Sequence, residues 1–281
     1  MTPEIHTQSL SYGQSSGLAD TLVIEISATM LQFCELQSET NCPVYICAFP
    51  FDNAVNKGVY EQLVMAINHF GFSKKVYKTV LVNEVSSHFT LCPTSFYEPD
   101  TTRTLLEFNC GDIENDLVLT DEINASIKLV YSVSESIKSV LDKLFPQHKL
   151  KHNNTVLACL MLNSEELSKE NMLIYIREHT IEIIVKQHQQ LLLVNQYSIK
   201  TNEDVLYYIL FIFEQYQLNP LSALLTVIGN IETNSELIVS LKKYVKQVRL
   251  GAGHKTLDWQ YLTGMPQHYN YTLLNRLFCE S

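Results

Sequence analysis

Twice along the chain, three stretches of alternating apolar and polar residues lead into a segment of helical period and then a short apolar run. The later instance reads "MLIYIRE", "TIEIIVKQ" and "QLLLVNQYSI", then "VLYYILFIFEQY" and "ALLTVIGNI". The earlier one reads "TLVIEI", "MLQFCELQ" and "VYICAFPF", then "NKGVYEQLVMAINHF" and "KVYKTVLVNEV". Period two marks a half-buried strand, and recurrence every three to four residues marks an amphipathic helix. A three-strand meander followed by a crossover helix and a parallel strand builds one mixed sheet covered by helices. The order therefore predicts an α/β protein of two related subdomains, each with such a sheet. Residue identity between the halves is negligible, so the repeat is one of pattern.

Punctuation sets the boundaries. Gly71 ends a helix over 59–70, and Pro146 ends one over 134–145 with the stripe Ile137, Val140, Leu141 and Leu144. Thr201 or Asn202 caps the helix "VLYYILFIFEQY", whose nearly all-round apolarity predicts burial between layers. "HFTLCP" and 127–133 read as strands, "DIENDLVLTDEI" as an exposed acidic loop leading into a strand, and "SELIVSLKKYVKQV" as a final helix. "NNTVLACLMLNSEEL" is too short an apolar run for its period to decide between strand and helix. The expected division is a polar N-terminal arm over 1–17, a first subdomain over 18–165, a second over 166–250 and an aromatic segment over 251–281.

Composition narrows the function classes. With 46% apolar and 18% charged residues in 281, the chain can build a large core and is not a disordered segment. A net charge of −10 argues against nucleic acid and against an anionic membrane surface. The longest apolar run, "VLYYILFIF", is far short of a membrane span, and the polar start "MTPEIHTQSL" lacks a signal peptide's apolar region. No direct membrane insertion and a cytoplasmic location are therefore expected. Seven scattered cysteines without a C-x-x-C pair fit that compartment, and Cys34, Cys47, Cys92 and Cys159 lie in apolar stretches where a thiol acts as a small hydrophobe.

Other constellations favour ordinary readings. His148 and His152 are four apart, yet lysines flank them and no acid completes a metal set, so a solvated linker is expected. His88 and Cys92 flank a strand and form no site. Asp112, Glu114, Asp116, Asp121 and Glu122 lack calcium-loop spacing, so a solvated face is expected. The order of elements does not suit a nucleophile elbow, so acyl transfer is not expected. The C-terminal segment holds the one tryptophan, Trp259, with Tyr261 and Tyr269. Aromatics beside an arginine are favoured at interface hot spots, so these three are candidate partner-binding residues, with packing onto their own domain as the alternative.

Two such halves resemble the actin-like ATPase fold shared by actin, sugar kinases and Hsp70 chaperones. The chain looks like an uncharacterised bacterial family carrying a degenerate version of that fold, and is more distantly similar to actin-like proteins of pilus assembly and type II secretion. The resemblance lies in element order and hydrophobic pattern, from about Leu18 to Arg249. It implies a cleft between the halves where active members hold ATP, with an acid-x-glycine turn after the first strand of each half. Here the first turn places Glu25 at the acid and Ser27 at the glycine, and the second places Arg177 at the glycine. Where active members carry a glycine pair near the adenosine, this chain has Gly229 followed by Asn230.

Replacement of these glycines points to a fold kept without its chemistry. The expected role is a non-catalytic scaffold or adaptor that binds another protein and needs no cofactor. The alternative is a nucleotide-binding ATPase or phosphotransferase using ATP and magnesium, with Glu25 organising the metal and Gly229 near the base.

Overall fold

The structure, a computed structural model, describes residues 11–14, 17–51, 58–113, 115–164, 169–262 and 264–279. The chain divides into two compact units. One comprises the described residues up to Thr155 with Lys255–Met265, and the other Val156–His254 with Pro266–Cys279. The aromatic segment expected as one piece over 251–281 is thus shared between them.

In the first unit the chain forms β1 (Ser11–Gly13), β2 (Thr21–Ile26), β3 (Met30–Gln37), β4 (Cys42–Pro50), α1 (Val59–His69) and β5 (Thr79–Glu84). β1, at a position read as a polar arm, pairs with β4. An inserted subsheet follows: β6 (Phe89–Pro93), α2 (Thr102–Cys110), β7 (Leu117–Asn124) and β8 (Ile127–Val133), in the order β6-β8-β7. The chain then returns through α3 (Glu135–Leu144) to β9 (Lys149–His152). The main sheet has the order β1-β4-β3-β2-β5-β9, with β2, β5 and β9 parallel. Alternation along β2 sends Leu22, Ile24 and Ile26 into a core shared with Leu63 and Ile67 of α1 and Val140 and Leu141 of α3. Phe33 and Phe72 meet there with ring centres 4.9 Å apart.

α4 (Asn153–Leu162) carries the chain from one unit to the other. This is the stretch whose period was ambiguous. Val156, Leu157 and Ala158 are all fully buried, so the helix has no polar face for a period to report.

The second unit repeats the plan with β10 (Glu170–Ile176), β11 (Thr180–Gln187), β12 (Gln190–Ser198), α5 (Asn202–Gln215), β13 (Leu224–Gly229), α6 (Glu236–Tyr244) and β14 (Gln247–Leu250). Its order β12-β11-β10-β13-β14 matches β4-β3-β2-β5-β9 strand for strand, and α7 (Tyr271–Asn275) follows. Of the two possible caps of α5, Thr201 is used. Its hydroxyl accepts from the Asp204 N–H at 3.3 Å, and the Asp204 carboxylate accepts from the Thr201 N–H at 3.0 Å. α5 is not buried all round as expected. Val205, Ile209 and Ile212 face the core, while Tyr207 and Phe211 are 62% and 47% exposed and stack on each other. The final helix is also shorter than its pattern suggested. It ends at Tyr244 because Val245 is extended and the chain turns into β14.

Candidate functional site

In both units the chain leaves the first strand of the meander and turns back through one backbone pattern. The Ser27 N–H donates to the Met30 carbonyl at 3.1 Å, and the Arg177 N–H donates to the Thr180 carbonyl at 2.9 Å. Ser27 and Arg177 are therefore equivalent positions, as the spacing predicted. What their side chains do differs.

Ser27 folds back on its own turn. Its hydroxyl donates to the Met30 carbonyl at 2.9 Å and accepts from the Met30 N–H at 3.1 Å. This serine–backbone closure satisfies the hydroxyl and the Met30 backbone within the turn itself. Glu25 lies two residues upstream, 1% exposed, in register with Gln32 of β3 and Asn83 of β5.

Arg177 is held on two sides. Its Nε donates to Glu182 Oε1 at 3.0 Å, and its guanidinium sits 3.9 Å over the Tyr175 ring. Glu182 is 1% exposed, so Arg177 neutralises a carboxylate with almost no access to water. Tyr175 stands where the first unit has Glu25. Gly229 closes the same corner, in register with Ile176. Its φ is +103°, and a Cβ there would lie 2.0 Å from the Ile176 carbonyl oxygen and 2.9 Å from the Tyr175 ring. The glycine is thus required by its own neighbours, and its N–H donates to the His268 carbonyl at 2.8 Å. The structure brings Arg177 and Gly229 to one strand-end corner of the second unit, and Glu25 and Ser27 to the corresponding corner of the first.

The position matching Gly229 in the first unit is Glu84, since Ile26 pairs with Glu84 as Ile176 pairs with Gly229. Glu84 opens a buried polar cluster that the sequence did not reveal. One of its carboxyl oxygens is buried without a hydrogen-bond partner in the chain. Its pKa is pushed up to about 8, chiefly by burial and further by the nearby charge of Asp116. His152, paired across from Glu84 on β9, is 1% exposed and not part of a solvated linker. Its ring Nδ1 accepts from the Asn154 N–H at 3.1 Å, so Nε2 carries the proton and donates to the Ser86 carbonyl at 3.0 Å. These bonds fix one neutral tautomer. Phe89 and Tyr131 flank the ring at 4.9 and 5.2 Å.

Asp121 belongs to the same cluster and is buried, which corrects its expected place on a solvated acidic face. One oxygen accepts from the His152 N–H at 2.7 Å and the other from the Tyr131 hydroxyl at 3.3 Å. Burial raises its pKa, and the His152 N–H opposes that rise. The rest of the acidic run divides: Asp112 is exposed, Glu114 lies outside the described residues, and Asp116 accepts from Ser132 at 3.1 Å. Among the described residues no three His, Cys, Asp or Glu side chains are grouped to hold a metal ion. The amides of Asn83 and Asn154 are fully buried, with nitrogen and oxygen both lacking partners. The first unit therefore gathers carboxyls, an imidazole and amides at the carboxyl ends of parallel strands, where open α/β sheets present their binding groups.

The aromatic candidates separate. Trp259 and Tyr261 belong to the first unit and Tyr269 to the second. Tyr261 is 47% exposed, while Trp259 and Tyr269 are half-buried. The segment around them packs on its own units. The Asp258 N–H donates to the Asn41 carbonyl at 3.2 Å, and the Cys42 thiol to the Asp258 carbonyl at 3.3 Å.

Two units of identical strand order, each built on a meander, a crossover helix and parallel strands, define a protein of actin-like ATPase fold. The chain belongs to the family described as "Protein of unknown function (DUF3822)", whose model matches residues 14–248. It is similar to a Bacteroides thetaiotaomicron protein "with actin-like ATPase fold and unknown function", with a TM-score of 0.78 and 21% identity over 94% of this chain and 97% of that one. It is also similar to a chain of the "PilM-PilN type IV pilus biogenesis complex", with a TM-score of 0.62 and 11% identity over 92% and 97% of the two chains. The ethanolamine utilization protein EutJ from Carboxydothermus hydrogenoformans matches at 0.50 and 8% identity over 90% and 87%. No curated protein matches by sequence. No helix among the described residues is long and apolar enough to cross a membrane.

Proposed function

We propose that this protein is a non-catalytic cytoplasmic scaffold or adaptor that uses an actin-like body to hold a partner protein. The observation that carries this reading is Arg177, pinned by Glu182 at 3.0 Å and stacked 3.9 Å from Tyr175. A phosphate cradle needs a glycine there so that backbone N–H groups can approach the anion. Freeing Arg177 to meet a phosphate would break its ion pair with a buried carboxylate, a cost of several kcal/mol. Ser27 supports the same reading, because its hydroxyl is already committed to its own turn. A fold neighbour whose structure is a PilM–PilN complex supports the idea that such a body can serve a protein partner. Loss of chemistry from a retained fold is consistent with how folds and functions separate.

The competing reading, an ATPase or phosphotransferase, is kept alive by one feature: Glu25 remains a buried acid at the end of its strand. A thermal-shift titration with ATP, ADP and magnesium separates the two, since a ligand that binds the folded state alone raises Tm. No shift at millimolar nucleotide is expected. A magnesium-dependent rise that vanishes in Glu25→Ala would replace the scaffold with the enzyme.

A further inference from the structure

The first unit carries a surface groove remote in sequence from both strand-end turns. It lies where α2 meets the three-stranded subsheet, encloses about 480 Å3, and is lined by Leu91, Pro93, Leu105, Phe96 and Phe108. The two phenylalanines are 78% and 88% exposed. Phe96 sits on a 3-10 turn and Phe108 on α2, so the backbone itself holds both rings outward. α2 buries Leu106 in the subsheet core and, two residues on, aims Phe108 away from it. Rings of this size normally find cover, and apolar groups clustered in water mark interaction sites.

The charge around the groove states what would fit it. Residues 94–113 carry Glu98, Asp100, Glu107 and Asp112 against Arg103, and Lys128, 4.9 Å over the Tyr97 ring, is paired with Glu122 at 3.6 Å. Arg103 is already engaged, donating to Glu107 Oε1 at 3.3 Å and to the Asp116 carbonyl. Glu98 and Asp100 stand exposed. An apolar groove with exposed acids two and four residues along the chain from Phe96 complements bulky apolar side chains flanked by cations. We infer that this groove docks a peptide segment of a partner protein that presents leucine or aromatic side chains flanked by lysine or arginine. The inference rests on the protein-binding reading above and gives that reading a surface and a partner chemistry.

The test is a display selection of random dodecapeptides on the full chain, counter-selected on the F96A/F108A variant. Enriched peptides should share an aromatic or leucine flanked by lysine or arginine. A synthetic member should bind the double variant at least about tenfold more weakly, and lose affinity as salt shortens the Debye length from about 30 Å to about 8 Å. Glu98→Lys with Asp100→Lys should weaken the same peptide while leaving Phe96 and Phe108 untouched, which covers the case of an F96A/F108A variant that does not fold. Selection of nothing, or of acid-flanked peptides, overturns the inference. So does a dimer of this chain that dissociates in F96A/F108A, because a second copy would then own the groove. A groove that selects nothing in a protein indifferent to ATP removes this inference alone, whereas a nucleotide-induced shift removes the scaffold reading whatever the groove selects.

Discussion

The corner of the second unit built from Tyr175, Arg177 and Gly229 has the strand register and turn bond of its counterpart, Glu25, Ser27 and Glu84, and almost none of its chemistry. In the second, a glycine is forced by close packing and a cation is pinned over a ring. In the first, a serine closes its own turn and an acid is buried where the glycine would be. Register and turn bonds are set by strands that must pair, so they persist. Side chains at the strand ends answer only to local satisfaction, so they diverge.

The largest way to break this comparison is to give Gly229 a side chain. Gly229→Ala puts a Cβ 2.0 Å from a carbonyl oxygen at a φ of +103°. Clash and left-handed strain together should cost about 4 kcal/mol, read by chemical denaturation. Glu84→Ala, at the equivalent corner, should not be strained in this way.

Glu84 supplies the next test, through pH. Its carboxyl titrates near 8 in the folded state, well above the ordinary carboxylate range. As pH rises from about 4.5 to about 8 the unfolded chain releases this proton while the folded chain keeps it, so stability falls across that window. The fall should be about 4 kcal/mol, and Glu84→Gln should flatten it, followed as denaturation midpoint against pH. Gly229, at the equivalent position, has no titratable group and contributes no such slope.

Arg177→Ala removes the cation paired with buried Glu182, at a cost of about 3 kcal/mol. Changing both partners, Arg177→Met with Glu182→Gln, should recover most of it, and a double-mutant cycle measures the coupling. The smallest effect belongs to Ser27→Ala, which removes one turn-closing hydroxyl and should cost about 1 kcal/mol. If Ser27 proved as costly as Arg177, the two turns would be doing the same job and the contrast would collapse.

Long strands and amphipathic helices were legible in the sequence because each has length enough to display its period. β2, β3, β10 and β11 run six to eight residues and lie where alternation put them. β9 and β14 were missed for one shared reason: each is a four-residue edge strand, too short for alternation to register. The first was read as a linker and the second as the end of a helix. The turn positions of Ser27 and Arg177 were legible from spacing, but the pairing of Arg177 with Glu182 was not, because it depends on a side-chain rotamer. Glu84, Asp121 and His152 are scattered through the chain and become a cluster only when the fold brings β7 of the subsheet to the neighbouring strands β5 and β9.

The C-terminal segment has a consequence for biosynthesis. The first unit includes Lys255–Met265, while the second supplies everything between Thr155 and that segment. On a ribosome, the first unit can assemble its sheets early but stays incomplete until residues 255–265 emerge. At ordinary elongation rates that is a wait of roughly 5 to 20 s. During it the Cys42 thiol and the Asn41 carbonyl lack the backbone partners that Asp258 later provides. The two units are therefore finished close together, and a cut between residues 155 and 156 would release no complete half.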